Sequence, residues 1–305
     1  MLPSPRVGEG EGGGGGHVNR ILPVLTVLTA LVAVWYAAAV WMNATWVFDQ
    51  AERNGQTLTW AEVIPQTMAQ ERPLLPPPHQ VAGELWEGIA GQAVTSKRSL
   101  VYHAFVTFKG TMMGFALGIV FGVGLAMAIV RFRVMEMSVM PWAIISQTIP
   151  IVALAPMILV VASQIGIEGR DVPKAIIAAY LSFFPVLVSM VKGLRSPDQM
   201  QLDLLKTYGA SEAQTFLKLR IPASMPYFFA SLKVAIAASL IGTIVGELPT
   251  GAIEGLGARM LIGSQFGDPL IMWSALFAAA ILAGLLIVAV GVVERFAKGR
   301  MGVPA

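Results

Sequence analysis

The chain has 305 residues, of which 55% are hydrophobic and 13% are charged, and its mean hydropathy is +0.68. Ordinary soluble domains carry about 25% charged residues. The composition therefore excludes a soluble protein and predicts an integral membrane protein. The sequence has no cysteine, which excludes disulfides and thiolate metal sites. The net charge of +3 predicts no nucleic-acid partner, because excess Lys and Arg in a membrane protein usually serve orientation.

The amino-terminal stretch, residues 1–20, is rich in glycine and has no apolar periodicity. Such a segment cannot bury enough apolar surface to fold. We therefore predict a disordered tail. A start site assigned too far upstream is the alternative reading, in which the native chain begins near Val18.

Membrane crossing by a helix needs about 20 apolar residues for about 30 Å of hydrocarbon. Six runs meet this requirement, at about 21–42, 108–130, 138–162, 175–193, 225–246 and 270–292. They predict an all-α protein with six transmembrane helices, a membrane core over 104–294 and a short tail over 295–305. The first run also fits a signal peptide, since Arg20 precedes it and small residues lie at 37–39, but its length favours an uncleaved span.

Orientation follows from the Lys and Arg residues outside the six runs. With the amino terminus inside, twelve of them lie on the inner side, counting Lys192 at the inner end of the fourth run, and seven on the outer side. Because basic residues concentrate in cytoplasmic segments, both termini are predicted to be cytoplasmic. The outer segment 43–103 contains a proline-rich link and a short amphipathic helix from about Val81, which packs as an external cap or lies on the membrane surface.

The second run carries glycines at strict four-residue intervals, at Gly110, Gly114, Gly118 and Gly122. Small residues at this spacing make a flat stripe on which another helix packs closely. We predict close packing within one subunit. Contact between two subunits, or sliding motion, is the alternative.

Polar residues near the middle of the third run, Ser146, Gln147 and Thr148, lie close to Pro150 and Pro156. Prolines remove backbone hydrogen bonds and loosen a membrane helix. Hydroxyls and amides beside such a break suit a pathway for a polar solute, or else bonds between helices. The same two readings apply to weaker candidates in later runs, namely Ser182, Ser239 and Thr243.

Ionisable residues are scarce inside the six runs. The interiors contain no Asp or Glu, Glu247 lies at the outer end of the fifth run, and Lys233 is the charged residue well inside a run. Proton-driven carriers commonly need an acidic group within the membrane. The sequence also lacks GxxxxGK[ST], HExxH and GxSxG, so we predict no ATP site, no bound cofactor and no enzyme activity in this chain.

The segment "KTYGASEAQTFLKLRIPASMPYFF", residues 206–229, places charges between two apolar runs. Gly209 predicts a helix end or turn, and Ser211 predicts the cap of a second short helix. Apolar residues that include Tyr208 and Phe216 recur at helical spacing. The pattern predicts a helical hairpin that docks into another protein's groove, with a helix lying on the membrane surface as the alternative.

This segment resembles the cytoplasmic loop of ABC importer permeases, whose signature is EAA, three residues, Gly, nine residues and I-x-L-P. Aligned on Gly209, the EAA element falls on Asp203, Leu204 and Leu205, and the last element falls on residues 219–222 and ends at Pro222. The carboxylate is one methylene shorter and leucines replace both alanines. Blocks such as "GFALGIVFGVGLAMAI", "SQTIPIVALAPMILV" and "IVGELPTGAIEGLG" extend the resemblance over about residues 80–300, to the subfamily importing nitrate, sulfonates, taurine and pyrimidine-type thiamine precursors.

The resemblance implies the transmembrane permease subunit of a bacterial inner-membrane importer. Two such subunits, here a homodimer, would form the pore in the lipid bilayer. A cytoplasmic ABC ATPase, which holds the ATP and magnesium, would dock the coupling loop 194–224, and an extracytoplasmic solute-binding protein would deliver a small polar solute. Asp203, Gly209, Ala210 and Pro222 would belong to the coupling helix, and Glu247 matches an acidic residue after the fifth span or is an exposed helix-end carboxylate. A secondary carrier or channel working alone is the alternative function.

Overall fold

The computed structural model describes residues 15–167, 169–249 and 253–301, and these form helices, turns and loops, which confirms the all-α prediction. The chain divides into two units, residues 1–82 and 83–305. The helices are α1 Gly15–Arg53, α2 Trp60–Met68, α3 Pro78–Trp86, α4 Leu100–Arg131, α5 Arg133–Ser146, α6 Ile151–Gln164, α7 Asp171–Leu194, α8 Gln199–Thr207, α9 Glu212–Thr215, α10 Ile221–Glu247, α11 Leu256–Gln265 and α12 Pro269–Met301, with π-helical turns at Glu87–Gly91 and Phe216–Arg220.

In the first unit α1 is longer than the predicted run 21–42 at both ends. It continues to Arg53 because Ala44 and Val47 pack on Val63 of α2 and form a small apolar core. At its other end α1 begins at Gly15, so the predicted disordered tail is already helical from that residue. The remainder of that predicted tail, residues 1–14, lies outside the described residues.

The proline-rich segment after α2 is held against α1 by side-chain hydrogen bonds from α1. The Asn43 side chain is fully buried; its Nδ2 donates to the carbonyl of Leu75 at 2.9 Å, and its Oδ1 accepts the Leu75 N–H at 3.2 Å. The Trp35 indole donates to the Pro76 carbonyl at 3.0 Å. Since prolines cannot donate backbone bonds themselves, these side chains from α1 define the path of the segment.

The second unit has a core in which α7 packs against both α4 and α10. The glycine stripe of α4 lies in this interface: a Cβ at Gly114 would stand 2.2 Å from the Ala178 Cβ, and one at Gly118 would stand 2.1 Å from Ser182 Oγ. A Cβ at Gly242 of α10 would likewise stand 2.7 Å from the Ala178 Cα. The prediction of close packing within the subunit is confirmed, because the helices meet where side chains are missing.

Two ends of this bundle are distinguished by ion pairs. At one end Lys109 of α4 bonds Asp171, the first residue of α7, at 2.8 Å, and Glu247 closes α10. At the other end Arg195, just after α7, bonds Glu136 of α5 at 2.8 Å. We call these the Glu247 end and the hairpin end, because helices α8 and α9 follow directly on the second.

The third predicted run, 138–162, is two helices rather than one. The chain bends by 105° between α5 and α6. The bend lies at Pro150, because proline lacks a backbone donor and disfavours helical geometry in the residue before it. The pair nevertheless carries the chain from the hairpin end, where α4 stops, to the Glu247 end, where α7 starts. It therefore acts as one broken crossing, which together with the five long apolar helices found among the described residues gives six spans.

The last helix, α12, continues beyond the predicted limit of residue 292 to Met301. This extension brings Glu294, 8% exposed, against Lys233 of α10, with 2.6 Å between Nζ and Oε2. Lys233, the charged residue well inside a predicted run, therefore has an acidic partner on another helix, in the part of α12 beyond the predicted run 270–292.

Candidate functional site

The hairpin between α7 and α10 is built from local signals. Asp198 and Gln201 form a capping box at the start of α8. Gly209 follows that helix with φ +69°, a left-handed conformation that glycine adopts without strain. Ser211 then accepts the Gln214 N–H at 3.2 Å and caps α9. The predicted turn at Gly209 and the predicted cap at Ser211 are both confirmed.

Three helices of the bundle hold the hairpin. Arg131, the last residue of α4, bonds Glu212 of α9 at 3.1 Å. Arg220 donates to the carbonyl of Leu194, the last residue of α7, at 2.9 Å. The π-helical turn Phe216–Arg220 runs without a break into α10. The hairpin thus contacts the ends of α4 and α7 and is continuous with α10.

The hairpin exposes apolar side chains outside the membrane runs. Tyr208 is 80% exposed, Met200 is 82% exposed and Leu217 is 62% exposed. Beside the tip, a groove of about 740 Å³ is lined in part by Arg131, Lys206 and Arg220. Exposed apolar groups beside cationic groups suit contact with a protein surface that offers apolar and acidic groups.

The six predicted coupling residues all lie along this hairpin, but their environments differ. Asp203 is exposed and pairs with Lys206 at 3.2 Å within α8. Ala210 follows the turn and lines the groove. Phe216 packs on the bundle core, and Pro222 is the second residue of α10. Tyr208 and Gly209 occupy the exposed tip.

The polar residues predicted for the third run lie at the bend between α5 and α6. The Ser146 and Thr148 hydroxyls donate to carbonyls of their own chain three residues back, and the Tyr180 hydroxyl of α7 donates to the Ser146 carbonyl. Ser146 and Gln147 are half-buried and Thr148 is exposed. The bend therefore presents polar groups on the surface of this single chain.

The other predicted path residues are fully buried between helices. Ser239 donates to the Thr111 carbonyl at 2.8 Å, and Thr111 donates to Thr243 at 3.2 Å, which joins α4 to α10. Ser182 contacts the Gly114 carbonyl at 3.4 Å. These contacts favour the alternative role, interhelical bonding, for Ser182, Ser239 and Thr243.

Glu247 is completely buried at the end of α10, so the alternative reading as an exposed helix-end carboxylate is wrong. Thr107 of α4 donates to both of its oxygens, at 3.0 and 3.1 Å. Lys174 of α7 lies 3.9 Å away, and its side chain is 4% exposed. A buried carboxylate needs such partners, because removal from water is costly.

The same group of side chains caps helix α11. Three successive backbone N–H groups donate to them: Gly255 to His103 Nδ1 at 3.0 Å, Leu256 to Thr107 Oγ1 at 2.9 Å, and Gly257 to Glu247 Oε2 at 2.9 Å. The first N–H groups of a helix have no partner inside it. We call His103, Thr107 and Glu247 the α11 cap.

Of these three residues the sequence pointed to Glu247 and not to His103 and Thr107. The available signal was their spacing, because His103, Thr107 and Thr111 recur every four residues and share one face of α4. The segment "EGLG", residues 254–257, was a second signal. Gly255 has φ +113°, and a Cβ there would stand 2.3 Å from the Glu247 carboxylate.

An exposed ion pair lies next to the α11 cap. Lys97 Nζ is 3.0 Å from Glu254 Oε1. The hydrogen bond from Lys97 lowers the pKa of the Glu254 carboxyl, and a bond from Tyr102 lowers it further. Glu254 is therefore ionised at neutral pH, and its ion pair with Lys97 joins the segment before α11 to the loop before α4.

The fold and these contacts define a class of protein. It is a multi-spanning helical membrane protein with a capped helical hairpin joined directly to its spans, and no cluster of three His, Asp or Glu suited to a metal occurs among the described residues. The sequence of residues 118–301 matches the family model described as the binding-protein-dependent transport system inner membrane component. The chain belongs to this family of ABC importer permeases.

Three curated relatives are named as permease proteins. A probable ABC transporter permease protein of Haemophilus influenzae is 33% identical, covering 62% of this chain and 77% of the relative. The formylaminopyrimidine transport permease protein ThiX of Halalkalibacterium halodurans is 34% identical, covering 64% and 74%. The riboflavin transport system permease protein RibX of Chloroflexus aurantiacus is 28% identical, covering 73% and 78%.

Proposed function

We propose that the hairpin formed by residues 199–220 is the coupling segment through which a cytoplasmic ABC ATPase drives this permease. The observation that carries the proposal is the placement of the hairpin. It joins two membrane helices, α7 and α10, and bonds a third through Arg131 and Glu212. Motion imposed on it by a bound protein therefore reaches several spans at once.

Individual residues receive distinct roles in this proposal. Tyr208, with its ring almost fully exposed, contacts the ATPase directly. Gly209 and Ala210 set the turn between α8 and α9. Asp203 holds Lys206 beside the groove. Phe216 and Pro222 transmit the motion, because Phe216 packs on the bundle core and Pro222 opens α10.

The remaining parts of the proposal concern sidedness and assembly. The excess of basic residues supports a cytoplasmic hairpin end and cytoplasmic termini in a bacterial inner membrane. ATP and magnesium bind to the ATPase, a solute-binding protein docks at the Glu247 end, and two copies of this chain form the path. Ser146, Gln147 and Thr148 line that path, since they are polar groups at a break in a membrane helix.

Substitutions at the turn test the coupling role. We expect Gly209→Val to abolish copurification of the ATPase, because a β-branched residue is strained at φ +69°. Gly209→Asn is expected to retain it, since Asn tolerates this conformation. Gly55→Val is the matched control: Gly55 has φ +68°, lies between α1 and α2, and has nothing within 4 Å of an added Cβ.

A second variant separates contact from folding. Tyr208→Glu changes an exposed side chain and should leave the amount of protein in the membrane unchanged while it removes ATPase association. Normal association in both Tyr208→Glu and Gly209→Val would contradict the coupling role. Uptake that persists without ATP and collapses with the proton gradient would instead establish a secondary carrier.

For the substrate we propose a small nitrogen heterocycle of the pyrimidine type. Two of the relatives are named for formylaminopyrimidine and riboflavin, both of which contain such a ring. The half-buried amide of Gln147 suits a ligand that both donates and accepts hydrogen bonds. A small anion such as nitrate, a sulfonate or taurine is the alternative class that the sequence resemblance leaves open.

Thermal stability of the partner solute-binding protein distinguishes these classes. We expect an aminopyrimidine to raise its melting temperature, because a ligand bound by the folded state stabilises it. Nitrate and taurine at equal concentration serve as comparisons. A shift with taurine or nitrate and none with pyrimidines or flavins would contradict the heterocycle proposal.

A further inference from the structure

Helices α4 and α10 connect the hairpin to α11. At the hairpin end, α4 bonds Glu212 through Arg131, and α10 continues from the hairpin itself. At the Glu247 end, α4 contributes His103 and Thr107 and α10 contributes Glu247 to the α11 cap. With 27 residues, α10 spans about 40 Å between these points. Both helices therefore contact the same two structures at opposite ends of the bundle.

The cap depends on a defined pattern of donors and acceptors. The Thr107 hydroxyl gives its proton to the Glu247 carboxylate, so its lone pair accepts the Leu256 N–H. His103 Nδ1 accepts the Gly255 N–H, and its Nε2 lies 2.9 Å from the Lys97 carbonyl. A carbonyl is an acceptor only, so His103 must be the neutral Nε2–H tautomer.

Charged groups surround the cap on the elements that pack against it. Arg259 of α11 and Glu254 before α11 interact electrostatically with His103. Lys97 pairs with Glu254, and Lys174 of α7 lies near Glu247. Protonation of His103 to the imidazolium would put a proton on Nδ1. Nδ1 could then no longer accept the Gly255 N–H, and that hydrogen bond would break.

Close packing makes the cap rigid. Added Cβ atoms at Gly255 and Gly257 would stand 2.3 Å from the Glu247 carboxyl carbon and 2.5 Å from the Ile244 carbonyl oxygen, respectively. At its other end α11 packs against α12, where a Cβ at Gly263 would stand 2.8 Å from the Met272 nitrogen. The α11–α12 pair is therefore attached at this end of the bundle through the cap.

We propose that His103, Thr107 and Glu247 are positioning residues that make α11 move with α4 and α10, so that a displacement of the hairpin moves α11 at the opposite end. This inference rests on the proposed coupling role of the hairpin. Three side chains outside the hairpin would then transfer its motion across the full thickness of the bundle.

The test uses the complete importer, with its ATPase and solute-binding protein, in proteoliposomes, where uptake and ATP hydrolysis are measured together. Thr107→Val removes the hydroxyl and keeps the shape, whereas Thr107→Ser keeps the hydroxyl. His103→Gln keeps a donor for the Lys97 carbonyl but has no acceptor at the Nδ1 position. His103→Asn keeps that acceptor.

We expect Thr107→Val and His103→Gln to assemble with the ATPase and hydrolyse ATP, while uptake per ATP falls about tenfold, as for a typical coupling free energy. Thr107→Ser and His103→Asn should stay within about twofold of the unchanged protein. Unchanged uptake per ATP in the first pair would overturn the inference. Loss of assembly in all four variants would also overturn it, because the residues would then act only in folding.

Failure of the proposed function gives a different result, since the unchanged protein would then bring down no ATPase. A spectroscopic measurement tests the cap independently of transport. The chain has three histidines, so ¹⁵N NMR in nanodiscs, with His103→Asn for assignment, can identify the His103 signal. We expect the neutral Nε2–H tautomer at pH 7; an Nδ1–H tautomer or an imidazolium would overturn the assignment of His103.

Discussion

The Lys233 ammonium of α10 lies 2.6 Å from the Glu294 carboxylate of α12, and Lys298 bonds the second oxygen of the same carboxylate at 2.7 Å. One buried carboxylate is therefore shared by two lysines close to the hairpin end, and the group keeps a net charge of +1. Ion pairs inside a membrane protein are expensive to break, because an unpaired charge is left in a medium of low polarity. This triad joins α10 to α12 at the end opposite the α11 cap.

The triad predicts unequal effects for its members. Lys233→Met should cost little, since Glu294 keeps Lys298. Glu294→Gln should lower the free energy of unfolding by about 1–3 kcal/mol, because two lysines lose their shared counter-charge. Thermal unfolding in one detergent measures both variants. The double variant should recover part of the loss, and a double variant less stable than Glu294→Gln would contradict this explanation.

The packing of α4 on α7 predicts that substitution by alanine is much less tolerated at one glycine of α4 than at another. Gly114→Ala should destabilise the protein by about 1–3 kcal/mol, because its Cβ would overlap Ala178 and the backbone behind it. Gly124→Ala on the same helix has nothing within 4 Å, and should be neutral or gain up to about 1 kcal/mol from helix propensity. Equal melting temperatures for the two variants would refute the close contact.

The buried Asn43 predicts a local effect in the first unit. Asn43→Ala should cost about 1–3 kcal/mol, since the N–H and carbonyl of Leu75 lose their partners. Hydrogen exchange at the Leu75 amide is the direct measurement, and it should accelerate. Asn54→Ala, at an exposed site just after α1, is the control. Unchanged exchange at Leu75 would show that other contacts hold the segment.

The Lys97 and Glu254 pair predicts a pH dependence. The pKa of Glu254 is lowered in the folded protein, so its contribution to stability is present above the pKa of the unfolded chain. That contribution is lost as the pH falls through the folded pKa. Lys97→Met should raise the pKa toward its ordinary value without reaching it, because Tyr102 still donates to the carboxylate. Carboxyl ¹³C NMR titration measures this, and an unchanged pKa would contradict the pairing.

Much of this protein follows from local sequence alone. Apolar runs long enough to cross a bilayer predict α4, α7, α10 and α12, because a membrane helix must satisfy its backbone bonds internally. Gly209 and Ser211 predict the hairpin turn and its cap, since each acts through its own backbone within four residues. The glycine spacing in α4 likewise predicts a close helix contact.

Tertiary structure decided which faces meet and therefore what the polar residues do. By its position in the sequence Glu247 could be an exposed residue at a helix end. In the structure its partner Thr107 lies 140 residues away, and the backbone N–H that it accepts belongs to a different helix. Helices α5 and α6 together make one crossing because α4 ends and α7 begins at opposite ends of the bundle, which only the packed structure shows. Local signals encode turns, caps and spans, whereas buried polar networks depend on distant helices packing in register, which the periodicity of one segment does not specify.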